Sequence, residues 1–220
     1  MTDSRIHSWD VGPEEAVAIQ RALASRVVRD DRLGEVRRIA GVDVGFGQGV
    51  TRAAVAVLSY PALELLTVSR AERPTTFPYV PGLLSFREAP AVLDAYERLE
   101  VEPDLLVVDG QGYAHPRRFG IACHLGVLLD KPAIGSAKSI LVGRHGDLGE
   151  EQGAIAELID RGEVVGLAVR TKVRVKPVFV SVGHRISLAT AARYVLACVR
   201  GYRLPEPQRQ AHLAASGQGS

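Results

Sequence analysis

Hydrophobic and polar positions along the chain follow two periods, one helical and one strand-like, in successive blocks. Residues 12–28 (GPEEAVAIQRALASRVV) repeat apolar side chains at helical spacing behind Pro13 and two glutamates, which predicts a lead-in helix. Three strand-like runs follow with hairpin-length breaks between them. They predict an antiparallel meander of strands at residues 37–46, 52–60 and 64–72.

The pattern then changes to alternating helices and buried strands. Ser85, followed three residues later by Glu88, has capping-box spacing and predicts a helix beginning near Phe86. Short apolar runs predict buried strands, and longer runs at helical spacing predict further helices. The remaining predicted elements are a strand at 104–110, a helix at 116–129, a strand at 131–138, a strand pair at 165–176 and 178–183, and a closing helix at 187–199.

This order of elements predicts the fold class. Three antiparallel strands followed by right-handed crossovers place the first and fourth strands side by side and parallel. We therefore expect an α/β protein with a ribonuclease H-like mixed five-stranded sheet flanked by helices, with additional C-terminal strands and a helix. We expect residues 1–220 to form one domain, with 1–12 and 215–220 flexible.

Composition narrows the class of protein. A chain of 220 residues with 46% apolar residues is long enough for one full core, and its net charge of +2 does not by itself indicate nucleic-acid binding. The apolar runs are too interrupted for a membrane span and no secretory signal is recognisable, so we expect no membrane partner and a cytoplasmic location. Cys123 and Cys198 are too isolated to predict a disulfide framework or a zinc site.

Three acidic residues fall where this fold would bring them together. Asp43 lies in the first strand, Asp109 ends the fourth, and Glu88 lies in the first turn of the helix between them. Three carboxylates in one cleft repel each other, and a divalent cation with a preference for hard oxygen ligands, Mg²⁺ or Mn²⁺, offsets that repulsion most simply. The pattern therefore favours metal-assisted phosphodiester chemistry.

The stretch RIAGVDVGFGQG, residues 38–49, has other interpretations. Its glycines do not fit a dinucleotide-binding fingerprint, because that motif opens a helix and the chain here returns as a strand. The stretch also looks like the first phosphate-binding hairpin of actin-like and sugar-kinase ATPases, although those proteins use two such domains. In the simplest alternative, Asp43 only caps a turn at the strand edge.

Longer motifs help to choose between these interpretations of residues 38–49. Residues 73–90 (RPTTFPYVPGLLSFREAP) and 105–141 (LLVVDGQGYAHPRRFGIACHLGVLLDKPAIGSAKSIL) closely resemble the endonuclease V family, which cuts nucleic acid next to deaminated adenine. The resemblance continues through VFVSVGHRISLATA and PEPQRQAHLAA, so it covers residues from about 39 to about 214. It departs from the family at Gly45, Phe46, Gln111 and Tyr113, none of which affects the acids.

The resemblance implies roles for five residues in catalysis. Asp43 and Asp109 would bind the metal, Mg²⁺ with Mn²⁺ as a substitute, and Glu88 would orient the attacking water or accept its proton. Lys138 would approach the attacked phosphate, although a structural salt bridge is the alternative for a lysine at the end of a buried strand. His212 would lie near the metal-bound water, and without the resemblance it would count as an inert surface histidine.

The resemblance also implies the substrate and its binding residues. Tyr79, in the segment 78–82 (PYVPG), would wedge into the duplex while the hypoxanthine base flips into a pocket formed by main-chain groups. A loop aromatic packed on the core is the alternative for Tyr79. The predicted substrate-binding residues are Tyr79, Pro81, Gly82, Leu84, Arg87, Gly110 and His115.

The reaction expected from the resemblance is the cleavage of one nucleic-acid strand as a step in DNA repair. The enzyme would cut the second phosphodiester bond 3′ to hypoxanthine and leave a 3′-hydroxyl and a 5′-phosphate. We expect a monomer that binds DNA containing deoxyinosine, with inosine-containing RNA as a second candidate substrate. The sequence does not rank the two, because contacts to the 2′-hydroxyl depend on geometry.

One basic feature is independent of the family. In VRTKVRVK, four basic residues alternate strictly, so a strand would place all of them on one face. With two arginines after His115 they would form a track for phosphates, or they would only discourage pairing at a sheet edge. The residues of this possible track are Arg117, Arg118, Arg170, Lys172, Arg174 and Lys176.

Overall fold

The computed structural model describes residues 6–216 and contains nine strands and five helices within them. The strands are β1 (Arg38–Gly47), β2 (Val50–Ser59), β3 (Leu65–Pro74), β4 (Leu105–Val108), β5 (Ala133–Ala137), β6 (Arg144–His145), β7 (Ile155–Asp160), β8 (Glu163–Val169) and β9 (Val178–His184). The helices are α1 (Pro13–Ala24), α2 (Leu84–Glu97), α3 (Ile121–Leu129), α4 (Leu188–Ala197) and α5 (Glu206–Ala215).

All nine strands belong to one mixed sheet, in the order β3-β2-β1-β4-β5-β9-β8-β7-β6. The first five strands of this order are the predicted five-stranded unit, with β1, β2 and β3 antiparallel and β4 parallel to both β1 and β5. Gln48 and Gly49 connect β1 to β2 with φ values of 52° and 75°, as a two-residue hairpin turn requires. The predicted α/β class and the meander are therefore confirmed.

Helices cover both faces of the sheet because each buried strand carries apolar residues on both sides. Ala40, Val42, Val55 and Leu106 pack in one apolar cluster with α2 and α3. The alternate positions on the same strands pack in a second cluster with α4 and α5. The domain therefore has three layers, with the ends of the parallel strands open between the two helical layers.

Helix α5 rests against β1 because glycine leaves room for it. A Cβ atom added to Gly41 would lie 1.8 Å from the carbonyl oxygen of Pro207, and one added to Gly45 would lie 3.0 Å from that of Ala215. Gln208 fixes the same helix to β5, since it accepts from Ser136 Oγ at 2.8 Å and donates to the Ser136 carbonyl at 2.9 Å. The helix thus runs along the strand that carries Asp43.

Several predicted boundaries were wrong at the helices. Ser85 is not the N-cap of α2, because the helix begins at Leu84 and the Ser85 hydroxyl is bonded to the buried His124 ring at 3.1 Å. The helix predicted over 116–129 begins only at Ile121, since the preceding residues form turns that end at Gly120. The predicted closing helix is confirmed as α4, and the Ser187 side chain caps it by accepting a hydrogen bond from the Thr190 amide.

Three elements were missed and one strand was predicted too long. Strands β6 and β7 and helix α5 had no counterpart in the predicted set. Strand β8 ends at Val169, and residues 170–177 form a loop that contains a turn. Arg174 has a φ of 61° in this loop, a conformation that interrupts a strand.

Half of the predicted flexible ends, residues 1–5 and 217–220, lie outside the described residues. Within the described part, Trp9 packs against Phe86, and Ala215 is the buried last residue of α5. Cys123 and Cys198 are free and buried. Among residues 6–216, no helix is long and apolar enough to cross a membrane.

We expect Gly41→Ala to lower the free energy of unfolding by about 1–3 kcal/mol, because the new methyl group must push the α5 main chain off the strand. Urea unfolding at pH 7 measures this change. Gly34→Ala is the matched control, since a Cβ atom at Gly34 meets nothing within 4 Å. Equal stability of the two variants would contradict the close packing of α5 on β1.

Candidate active site

A cleft of about 420 Å³ opens where the parallel strands β1, β4 and β5 end. All of the predicted catalytic and substrate-binding residues except Arg87 line it. They are Asp43, Tyr79, Pro81, Gly82, Leu84, Glu88, Asp109, Gly110, His115, Lys138 and His212. The fold therefore brings together residues that are as much as 169 positions apart in the chain.

The three predicted acids lie together in this cleft, and the register between β1 and β4 explains the position of two of them. Val42 pairs with Val108 in the parallel β1–β4 ladder, so the next residues, Asp43 and Asp109, leave the ladder side by side. Their carboxyl groups are within hydrogen-bonding reach of each other. Glu88 reaches them from α2 and is only 6% exposed.

Burial and mutual repulsion set the protonation of the acids. Burial and the negative charge of Asp43 raise the pKa of Asp109, and the Lys138 ammonium lowers it, so that it lies at about 6. Burial also raises the pKa of Glu88 well above its usual range, and the charges of Asp109 and Asp43 add to the effect. The cleft thus holds anionic groups that a cation would stabilise.

Two basic side chains already partner the acids. His212, on α5, lies with its Nδ1 atom 2.6 Å from Asp43 Oδ2, while the main-chain amide of Val44 donates to Asp43 Oδ1 at 2.8 Å. Lys138, immediately after β5, forms an ion pair with Asp109. The salt-bridge alternative for Lys138 and its predicted approach to a phosphate are compatible, because its side chain remains 38% exposed.

The donor chemistry of the cleft suits a hard divalent cation. In the described part of the chain, no group of three or more His, Cys, Asp and Glu side chains is placed so that it could hold a metal ion. Mg²⁺ does not require such a group, because it is commonly held by one or two carboxylates together with water and substrate phosphate. Asp43 and Asp109 supply such a pair of carboxylates.

A hydrogen-bonded cluster fixes the loop on the opposite wall. The Gly82 carbonyl accepts from Gln20 Nε2 at 3.0 Å, His115 Nε2 at 2.9 Å and Arg117 Nη2 at 2.7 Å. Gln20 and His115 are 1% and 3% exposed, so two of the three donor residues are buried. The structure therefore gives His115 a supporting role at Gly82.

Glycine is required at two predicted pocket positions. Gly82 has a φ of 80°, and an added Cβ atom would lie 2.8 Å from the Arg117 guanidinium. Gly110 has a φ of 152°, and its added Cβ atom would lie 2.5 Å from Ile121. At both positions a side chain would strain the main chain and crowd the wall of the pocket.

Tyr79 stands at the mouth of the cleft, with 72% of its surface exposed. This exposure excludes the alternative of a loop aromatic packed on the core. Arg87, in contrast, does not line the cleft. It donates to the Phe77 carbonyl at 3.1 Å and stacks over Phe46 at 4.6 Å.

Comparison with known proteins agrees with this geometry. The Endonuclease V family model matches residues 21–213. An Endonuclease V from Gloeobacter violaceus is 55% identical over 212 residues, which are 94% of this chain and 86% of that protein. The chain belongs to the endonuclease V family.

Solved structures of endonuclease V share the whole fold. The protein from Streptomyces avermitilis has a TM-score of 0.91 at 43% identity, covering 96% of this chain and 94% of its own. Ciona intestinalis Endonuclease V was crystallised in complex with a 24mer DNA containing an inosine followed by a ribo-adenosine. It has a TM-score of 0.81 at 29% identity, with 93% and 96% of the two chains covered. The hairpin at 38–49 therefore belongs to an endonuclease V.

The predicted basic track of this endonuclease V needs correction. Arg118 forms ion pairs with Asp160 and Glu163, and Arg117 is held by Gln20 and Gly82, so both are engaged within the protein. Arg170 donates to the main-chain carbonyls of Gly149 and Val175, so it too is engaged within the protein. Lys172, Arg174 and Lys176 are exposed, but they lie on the loop rather than on one face of a strand.

Sequence reasoning missed three residues that support the cleft: Gln20, Gln111 and Arg203. Gln20 bonds the Gly82 and Phe119 carbonyls, and the other two bond the main chain at Lys138 and Ser139. Their partners are distant in the chain, so no local spacing reveals them. The one usable signal for α5 was Gly41, Asp43 and Gly45 at alternate positions, which marks a strand face approached closely by another main chain.

His115 makes stability depend on pH. Burial lowers its pKa from 6.5 to about 4, against the opposing effect of its bond to the Gly82 carbonyl. The unfolded imidazole thus gains a proton at higher pH than the folded one, and stability is lost as pH falls from 6.5 toward 4. We expect His115→Gln to reduce the stability lost between pH 7 and pH 5 by about 2 kcal/mol.

Urea unfolding at the two pH values checks this expectation. His145→Gln is the control, because His145 is partly exposed on β6 and bonds only its neighbour Gly146. An identical loss of stability in wild type and His115→Gln would show that His115 is not held neutral in the folded protein.

Proposed function

We propose that this endonuclease V is a metal-dependent endonuclease that recognises hypoxanthine and hydrolyses the second phosphodiester bond on its 3′ side. The observation that carries the proposal is the convergence of Asp43, Glu88 and Asp109 with Lys138 at one end of the sheet. The inosine-containing DNA bound by the Ciona intestinalis relative supports the same substrate class.

Asp43 and Asp109 would hold Mg²⁺ or Mn²⁺, which when bound lowers the pKa of a water molecule and neutralises charge on the phosphate. His212 keeps the Asp43 carboxylate oriented through its 2.6 Å contact. Glu88 is buried beside both acids and is suited to orient the attacking water and take its proton.

Lys138 stabilises the negative charge that develops on the phosphate as water attacks phosphorus. Its ammonium group is held by Asp109 at the mouth of the cleft, where a phosphate oxygen can also reach it. The bond from phosphorus to the 3′ oxygen then breaks. The products are a 3′-hydroxyl and a 5′-phosphate.

Base recognition would use main-chain groups of the rigid wall. Hypoxanthine presents an acceptor at its 6-position where adenine presents a donor, so main-chain N–H groups near Gly82, Leu84 and Gly110 would discriminate against adenine. A close wall would exclude the 2-amino group of guanine. Flipping is favoured for inosine because it pairs weakly.

We expect purified protein with Mg²⁺ to nick an inosine-containing oligonucleotide one bond beyond the lesion's own 3′ phosphate. Matched DNA and RNA strands reveal which substrate is preferred, and EDTA should stop the reaction. Asp43→Asn and Asp109→Asn should reduce single-turnover cleavage at least about a hundredfold, because each loses a metal-binding charge.

Binding measured without cleavage provides the control, since both variants should hold the same duplex within a few-fold of wild type. Asp10→Asn, a change at an exposed carboxyl far from the cleft lining, should cut normally. Failure of the wild-type protein to cut either inosine substrate would overturn the proposed function.

Tyr79→Ala should weaken binding of an inosine-containing duplex by about tenfold, because a stacked aromatic ring contributes about 1–3 kcal/mol per base. Binding to the same strand without its complement should change by less than threefold, because no duplex gap has to be filled. Tyr79→Phe should behave like wild type on both. Equal loss on single and double strands would show that Tyr79 is not a duplex wedge.

A further inference from the structure

Lys138 lies at a point where the sheet no longer holds the main chain. Strand β5 ends at Ala137, which forms the last pair with Phe179 on β9. The next residues form bends, and Ile140 and Leu141 are 39% and 41% exposed. Neither the ladder nor the core therefore fixes the base of the Lys138 side chain.

Two side chains hold this segment by its carbonyl groups. Arg203 donates from Nη2 to the Lys138 carbonyl at 2.6 Å and to the Pro177 carbonyl at 2.8 Å. Gln111 donates from Nε2 to the Ser139 carbonyl at 2.8 Å. Consecutive carbonyls after β5 are thus bonded from two sides.

Both side chains are themselves anchored near the acids. The Arg203 carbonyl accepts from the buried Thr171 hydroxyl at 2.6 Å, and its guanidinium charge interacts with Asp109. Gln111 is two residues after Asp109, so it links the strand end that carries the acid to the segment that carries the lysine. Within residues 6–216, Arg203 Nε and Gln111 Oε1 are buried without a hydrogen-bond partner.

We propose that Arg203 and Gln111 are positioning residues that set the distance between the Lys138 ammonium and the phosphate attacked at the Asp43–Asp109 pair. The inference rests on the proposed function, because it concerns the rate of that hydrolysis. Both residues act through Lys138, although Gln111 also lines the cleft. A lysine side chain has several rotatable bonds. The position of its ammonium group is therefore reproducible only if the main chain that carries the side chain is itself held in place.

Single-turnover cleavage of an inosine-containing duplex tests the inference in a double-mutant cycle. Arg203→Met and Gln111→Met should each lower the cleavage rate about tenfold to a hundredfold, the scale of an ångström-sized misplacement, while duplex affinity stays within twofold. In a Lys138→Met background the same changes should have no further effect, because the residue through which they act is gone.

Arg200→Met is the matched control. Arg200 lies in the same connection between α4 and α5 and also bonds main-chain carbonyls, at Ala197, Val199 and Pro61, away from the cleft. It should leave the cleavage rate unchanged. Thermal unfolding of every variant separates lost folding from lost positioning.

The outcomes are distinguishable. Rate losses that persist in the Lys138→Met background, or a large loss of duplex affinity, would overturn the inference, because Arg203 or Gln111 would then act on substrate directly. If the wild-type protein cuts no inosine substrate, the proposed function fails. A crystal structure of Arg203→Met then tests the positioning role separately. A Lys138 main chain displaced by about 1 Å or more would support that role, and an unmoved main chain would refute it.

Discussion

The parallel register of β1 and β4 is the constraint on which the site depends. It brings Asp43 and Asp109 out of neighbouring strands at the same level, so two buried carboxylates face each other. Such a pair is unfavourable unless positive charge reaches it. Lys138 provides positive charge from the adjacent strand end, His212 bonds Asp43 from the layer above, and a hard cation would supply the remaining charge.

The need to bring His212 to Asp43 explains an otherwise costly feature of β1. Glycine in a strand interior loses packing and weakens the strand, yet Gly41 and Gly45 flank Asp43 on the face that α5 covers. Without their side chains the helix main chain can approach the strand closely enough for an imidazole to span the remaining distance. Buried bonds between Gln208 and Ser136 then fix the helix laterally. The two glycines weaken the strand locally, but they allow His212 to be placed against Asp43.

Elements with a strong local apolar period were predicted from the sequence, whereas elements and residues whose role depends on distant partners were missed. The meander, β4, β5 and α4 all carry strong apolar periods, and each was found. Ser85 matched a capping pattern, but its hydroxyl serves the buried His124 instead. Helix α5 has few large apolar residues and packs through alanine and main chain, so its period was weak. The acids were predictable because topology alone places them, whereas Arg203 bonds carbonyls that no spacing reveals.

The two walls of the cleft are stiffened in the same way, by side chains that bond main-chain carbonyls. On one wall three donors converge on Gly82, and on the other Arg203 and Gln111 hold the residues after β5. Loops with little apolar packing are otherwise the first parts of a protein to open. Polar bonds of this kind fix direction as well as distance. Tyr79, in contrast, is 72% exposed at the mouth of the cleft.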